Sequence, residues 1–96
     1  MATTIPDVEV DSNAWVDIYS VTGIAVGTAL NIANKGVTWC RLYEGASAPA
    51  LNVTDGDLIS NYSSDYATAE VKTGSLSVWA ISTLEGHSLK LQVKAI

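Results

Sequence analysis

Phenylalanine is absent from this 96-residue sequence, cysteine and histidine occur once each, proline occurs twice, and only 16% of the residues are charged. A single cysteine, Cys40, excludes a disulfide within one chain. Cys40 and His87 together fall short of the four ligands of a closed zinc site, and neither stands in a ligand-spaced pair. Basic residues are also scarce: five against ten acidic ones, for a net charge of −5, with Lys35, Arg41, Lys72, Lys90 and Lys94 scattered along the chain. That balance does not make a nucleic-acid surface. No stretch approaches 18 consecutive apolar residues, so no membrane-spanning helix is expected. The opening segment MATTIPDVEVDSN has neither a basic start nor an apolar run. No signal peptide is therefore expected, and folding is expected in the cytosol. In that setting the sequons at Asn52 and Asn61 carry no weight.

What is present is apolar and β-forming. Hydrophobic residues make up 48% of the chain, which excludes a disordered polymer. A chain of this length buries only about 64% of its unfolded surface, a marginal core. With disulfide and zinc excluded, association with copies of itself or with a larger surface is the expected source of extra stability. The low charge content fits a surface partly covered by partners.

Val, Ile, Thr, Ala and Ser dominate while the good helix formers Lys, Glu, Arg and Gln are few, so helices are not expected. Residues 1–13 read as an extended N-terminal arm, and residues 14–96 as one domain. Trp15 to Tyr19 reads as a strand with Val16 and Ile18 on one face and Trp15, Asp17 and Tyr19 on the other. A turn follows at Thr22-Gly23. Thr28 to Asn34 places Leu30 and Ile32 inward, and Asn34-Lys35-Gly36 reads as a hairpin link with Gly36 at positive φ. The return strand, Val37 to Tyr43, sets Thr38, Cys40 and Leu42 inward and Trp39, Arg41 and Tyr43 on the opposite face. Thr54-Asp55-Gly56-Asp57 is a turn before a short Leu58-Ile59 segment, and Ser60 to Tyr66 is loop-like. Ala67 to Lys72 and Ser75 to Ile81 read as strands. After a turn at Glu85-Gly86-His87, Ser88 to Ile96 alternates cleanly, with Leu89, Leu91, Val93 and Ala95 inward.

Short strands with turn signals every eight to twelve residues predict an all-β fold: a small antiparallel β-sandwich, jelly-roll-like or immunoglobulin-like, with the N-terminal arm extended beside it. Catalytic chemistry finds little purchase. His87 falls in a turn and reads as a solvated turn residue, not a general base. Cys40 lacks a basic partner and reads as a buried thiol. Asp55-Gly56-Asp57 with Asp65 offers carboxylates for a hard cation, but the spacing is first of all that of a turn. No phosphate loop occurs, no cofactor is implied, and the chain is not expected to be an enzyme.

The aromatic residues carry the functional signal. Trp15, Tyr19, Trp39, Tyr43 and Trp79 all fall on expected strands, and each has a polar atom at its rim, the kind of ring that suits interfaces. With Arg41 they form the candidate interface set. Three readings of these rings stay open: a surface covered by a neighbouring subunit, a platform for sugar rings, or tryptophans that belong to the core.

The run Ala14-Trp15-Val16-Asp17-Ile18-Tyr19, the turn Thr22-Gly23-Ile24-Ala25-Val26-Gly27-Thr28 and the Asn34-Lys35-Gly36 link, followed by Arg41-Leu42-Tyr43-Glu44 and Ala48-Pro49, resemble a group of small tailed-bacteriophage virion proteins. The likeness spans about residues 14 to 50, with weaker agreement at Ser77-Val78-Trp79-Ala80, and none of its motifs is catalytic. It implies a structural protein of the virion, assembled in the host cytoplasm. The first expectation is a head decoration, or cement, protein that forms homo-oligomers and binds the major capsid protein or other virion proteins. The alternative is a tail or fibre component that binds a host glycan.

Overall fold

The computed structural model describes residues 5–59, 68–71 and 76–95, with residues 57 and 68–71 described by their backbone. Among these residues eight strands and one short helix follow in the order β1 (Val8–Val10), β2 (Val16–Asp17), α1 (Ile18–Thr22), β3 (Leu30–Asn34), β4 (Cys40–Gly45), β5 (Asp57–Ile59), β6 (Thr68–Val71), β7 (Ser77–Ser82) and β8 (Leu89–Ala95). They form two four-stranded antiparallel sheets, ordered β1-β8-β3-β6 and β2-β7-β4-β5.

Alternation along the strands explains how the sheets face each other. Val8 and Val10 of β1, Leu30 and Ile32 of β3, and Leu89, Leu91 and Val93 of β8 point to one side of the first sheet. Cys40 and Leu42 of β4, Ile59 of β5, and Val78 and Ala80 of β7 do the same for the second. All of these residues join one buried cluster, so the inner faces of both sheets close a single core. Ala95, expected inward, is exposed where β8 runs past the core.

The strand numbers obey a simple rule. β1 pairs with β8, β2 with β7, β3 with β6 and β4 with β5. This is the pairing of one long hairpin whose tip is the β4–β5 turn, and the contacts β3·β8 and β4·β7 roll that hairpin up on itself. As a result only β4 and β5, among consecutive strands, share a sheet.

Three expectations are corrected by this arrangement. The Asn34-Lys35-Gly36 link is not a hairpin, because β3 and β4 lie in different sheets. Gly36 does not adopt a positive φ. It is needed for close approach instead: a Cβ there would overlap the Leu89 side chain and lie 2.9 Å from the Leu89 Cα. The crossing is held by Asn34, buried at the end of β3. Its amide donates to the carbonyls of Thr38, at 2.8 Å, and Ile59, at 3.4 Å, and its oxygen accepts the Gly36 N–H at 2.8 Å.

Second, the expected strand from Trp15 to Tyr19 breaks after Asp17. The Asp17 carboxylate caps a helical turn by accepting from the N–H of Tyr19, at 3.1 Å, and of Ser20, at 3.3 Å. Gly23, in the left-handed region at φ 76°, ends it and donates its N–H to the Tyr19 carbonyl. Local capping therefore outweighs the β-branched composition of IYSVT.

Third, residues 8–10 are no detached arm. Val8 and Val10 are core residues, and β1 forms an edge of the first sheet against β8. Lys35 also reaches back to Asp7 at 2.8 Å, an exposed pair that contributes at most about 1 kcal/mol. The loop expected over Ser60 to Tyr66 lies outside the described residues.

Candidate interaction surface

The outer face of the β2-β7-β4-β5 sheet follows from the core assignment. With Cys40 and Leu42 inward, Trp39, Arg41 and Tyr43 face out. With Val78 and Ala80 inward, Trp79 and Ile81 face out, and with Ile59 inward, Leu58 faces out. Register then sets two rows across the sheet. Trp79 stands between Asp17 and Tyr43, and Arg41 stands between Ile81 and Leu58. The backbone at Trp39 is tied in as well, its carbonyl accepting from both the N–H and the hydroxyl of Thr83 at 3.0 Å.

Four of the six candidate residues thus come together: Trp39, Arg41, Tyr43 and Trp79. Trp15 joins them from the end of the preceding loop, its ring meeting Tyr43 with centroids 6.1 Å apart and planes at 59°. Trp15 is nevertheless buried, and its indole N–H donates to the Ala50 carbonyl at 3.4 Å. The Trp79 indole donates to the Gly45 carbonyl at 3.0 Å. At Gly45 a Cβ would stand 2.6 Å from the Tyr43 ring, so the ring passes directly over this glycine. Trp15, Tyr43 and Trp79 therefore fasten the start of the β4–β5 connection to the sheet. They do not form a coplanar open platform.

Tyr19 is the exception. The helical turn sends it into the core, 2% exposed, with its hydroxyl donating to the Thr28 carbonyl at 2.5 Å. The expectation that Trp15 and Tyr19 share one strand face fails for the same reason as the strand itself.

Trp39 remains as the ring offered outward, 46% exposed. Leu58 beside it, Leu51 on the β4–β5 connection and Leu84 after β7 are exposed as well, although none of these leucines stood out in the sequence. The signal for Leu58 was its position one residue from the inward Ile59. Beside Leu51 lies a cleft of about 500 Å³, whose walls include Arg41, Leu51, Asn52, Thr54, Ile81 and Glu85. Ile81 faces outward yet is only 6% exposed, and it lines the cleft.

The other chemistry-bearing residues stay apart. Cys40 is fully buried beneath this face, and burial pushes its thiol up to about 12, against a smaller opposing pull from the Ile81 backbone and the Arg41 charge. His87 sits in the β7–β8 turn, its N–H bonded to the Leu84 carbonyl at 3.1 Å. Asp55 is exposed in the turn before β5, and Asp65 lies outside the described residues. Among the described residues no three His, Cys, Asp or Glu side chains gather as metal ligands would, and no helix is long and apolar enough to cross a membrane.

No family model, curated protein or solved structure matches this chain.

Proposed function

We propose that the chain is a structural protein of a tailed-bacteriophage particle, a small jelly-roll sandwich that decorates the head and grips the capsid through the outer face of its β2-β7-β4-β5 sheet. Sheet orders of 1-8-3-6 and 2-7-4-5, with hairpin partners 1-8, 2-7, 3-6 and 4-5 that sum to nine and the joining pairs 3-8 and 4-7 between them, are what rolling one long hairpin into an eight-stranded jelly roll produces. An immunoglobulin-like sandwich has seven to nine strands, with several consecutive strands kept in one sheet. Here one consecutive pair shares a sheet. Jelly rolls recur in viral capsid and lectin domains, which is support by analogy of fold. The likeness of residues 14 to 50 to small virion proteins points the same way.

The observation that carries the reading is the outward set of Trp39, Arg41 and Leu58, with Leu51 on the cleft that Arg41 also lines. Tryptophan and arginine ringed by apolar contacts is the composition of an interface centre. Size also fits. The molecule measures 35 × 28 × 20 Å, the short axis being that of two stacked sheets. A sheet face then offers an area comparable to the roughly 800 Å² that each partner gives to a standard interface. Binding across adjacent capsid subunits stabilises the shell by mass action, with no chemical step. A sugar-binding platform is less well supported, since Trp15 is buried and Trp79 is half-buried against its own backbone.

Co-sedimentation with expanded heads that lack the protein tests the proposal. The purified chain is expected to bind saturably at a fixed number per head, and Trp39→Ser with Leu58→Asp to abolish binding while leaving the circular dichroism spectrum unchanged. A chain that ignores heads yet gives a specific hit on a glycan array would overturn it in favour of a fibre receptor-binding module.

A further inference from the structure

Arg41, the sole arginine of the chain, stands in the middle of the outward face, between Ile81 and Leu58. Its Nε is shut off from solvent, and no acceptor among the described residues reaches it. The ion pair formed among those residues joins Lys35 and Asp7 instead. A guanidinium N–H withdrawn from water and left unpaired is costly, and native structures rarely carry one without a reason. Arg41 also lines the cleft of about 500 Å³, within the range of ligand pockets. Asn13, Asn52 and Thr54 add amide and hydroxyl groups to its wall, while Leu51 and Ile81 add apolar surface.

We propose that this cleft is a carboxylate-binding pocket that receives an acidic side chain from a partner protein. The planar fork of guanidinium donors matches the two oxygens of a carboxylate, and a carboxylate in the cleft meets the part of Arg41 that stays exposed. The carboxylate arrives on a polypeptide and not on an acidic sugar, because none of the described residues that line the cleft is an aromatic ring to stack a pyranose. Residues flanking the acid find apolar purchase on Leu51 and, at the neighbouring outward position, Trp39, both exposed. Glu85 lines the same cleft and opposes any incoming anion. It keeps the pocket from filling with free anions and makes tight entry depend on the contacts around the carboxylate. The pocket rests on the outer face being an interface, and it names the chemistry the partner must present.

The single arginine makes the test direct, because only one Nε–H cross-peak of an arginine can occur in the ¹⁵N–¹H spectrum. Titration uses a short capped peptide with a central glutamate between leucines, its glutamine counterpart, sodium glucuronate and sodium sulfate. The glutamate peptide is expected to move the Arg41 Nε–H peak saturably, the other three to bind at least about tenfold more weakly. Arg41→Lys is expected to weaken the peptide and Arg41→Gln to abolish binding, while Glu85→Gln tightens it a few-fold. No saturable shift, or an equal response to the glutamine peptide or to sulfate, would overturn the pocket. Tighter binding of glucuronate would overturn the choice of a protein partner. Head binding keeps the two proposals distinct. If Arg41→Gln still binds heads like the wild type, the pocket fails and the decoration role stands. If the wild type binds the glutamate peptide but not heads, the pocket stands and the decoration role fails.

Discussion

Replacing Asn34 with alanine removes the side chain that holds the crossing from one sheet to the other. Among the described residues, the carbonyls of Thr38 and Ile59 and the N–H of Gly36 each lose a partner. Asn34 is 2% exposed, so water does not reach these groups without some opening of the structure. Each stranded buried group costs about 1–3 kcal/mol, and with partial relaxation the total is expected at about 3–5 kcal/mol. A chain of this length has a stability of about 5–14 kcal/mol, so the variant gives up a large share of it. In urea the midpoint should fall by about 1–5 M, since slopes for small domains are about 1–3 kcal/mol per M. Asn34→Asp adds a pH signature. Its carboxylate keeps an acceptor for Gly36 but turns a second oxygen toward two carbonyl oxygens, and burial also disfavours the charge. Both effects raise the aspartate's folded pKa above its unfolded value of about 3.9. Stability is then least impaired below about pH 3.9 and falls as pH rises through the folded pKa. The deficit against wild type should therefore be larger at neutral pH than in acid. A loss below about 1 kcal/mol for Asn34→Ala, or a pH-independent deficit for Asn34→Asp, would refute the reasoning.

Other perturbations address the core and the surface. The Cys40 thiol, pushed up to about 12 by burial, should resist a disulfide reagent at pH 8 in the native protein and react at once in denaturant. Because folding raises this pKa, its contribution to stability is intact below the ordinary thiol value and erodes as pH climbs toward 12, which denaturation series in alkaline buffers would show. Gly36→Ala should destabilise by more than Gly23→Ala in thermal melts. The first forces the loop off the Leu89 backbone, whereas the second meets open space and bears only the left-handed backbone cost of about 1–2 kcal/mol. Trp39→Ser should stay within about 0.5 kcal/mol of wild type in the same melts, as expected of a residue that contacts a partner and not the core.

The strand faces were legible wherever a strand is long and half-buried. β8 and β3 show their inward residues by alternation alone, and β4 separates Thr38, Cys40 and Leu42 from Trp39, Arg41 and Tyr43 as expected. Alternation says which way a side chain points, not which sheet its strand joins. Both sheets bury the same kind of residue, so the crossing after Asn34 looked like a hairpin. The turn of helix at Ile18–Thr22 is too short for a helical period, and its signs were a capping Asp17 and a closing Gly23. In the first 13 residues the Val8-Glu9-Val10 alternation marked a strand within the stretch read as an arm. Most of the candidate surface was legible because it is the complement of the core on β4 and β7. Leu51 and the cleft were not, since they depend on where the β4–β5 connection folds back over the sheet.

Electron cryomicroscopy of the assembled phage particle tests the central proposal most directly. Two-sheet density is expected on the outside of the head, with the β2-β7-β4-β5 sheet turned toward the shell and Trp39 within the contact. Particles whose heads carry no such density, or that hold the chain at a tail tip with Trp39 facing solvent, would contradict it.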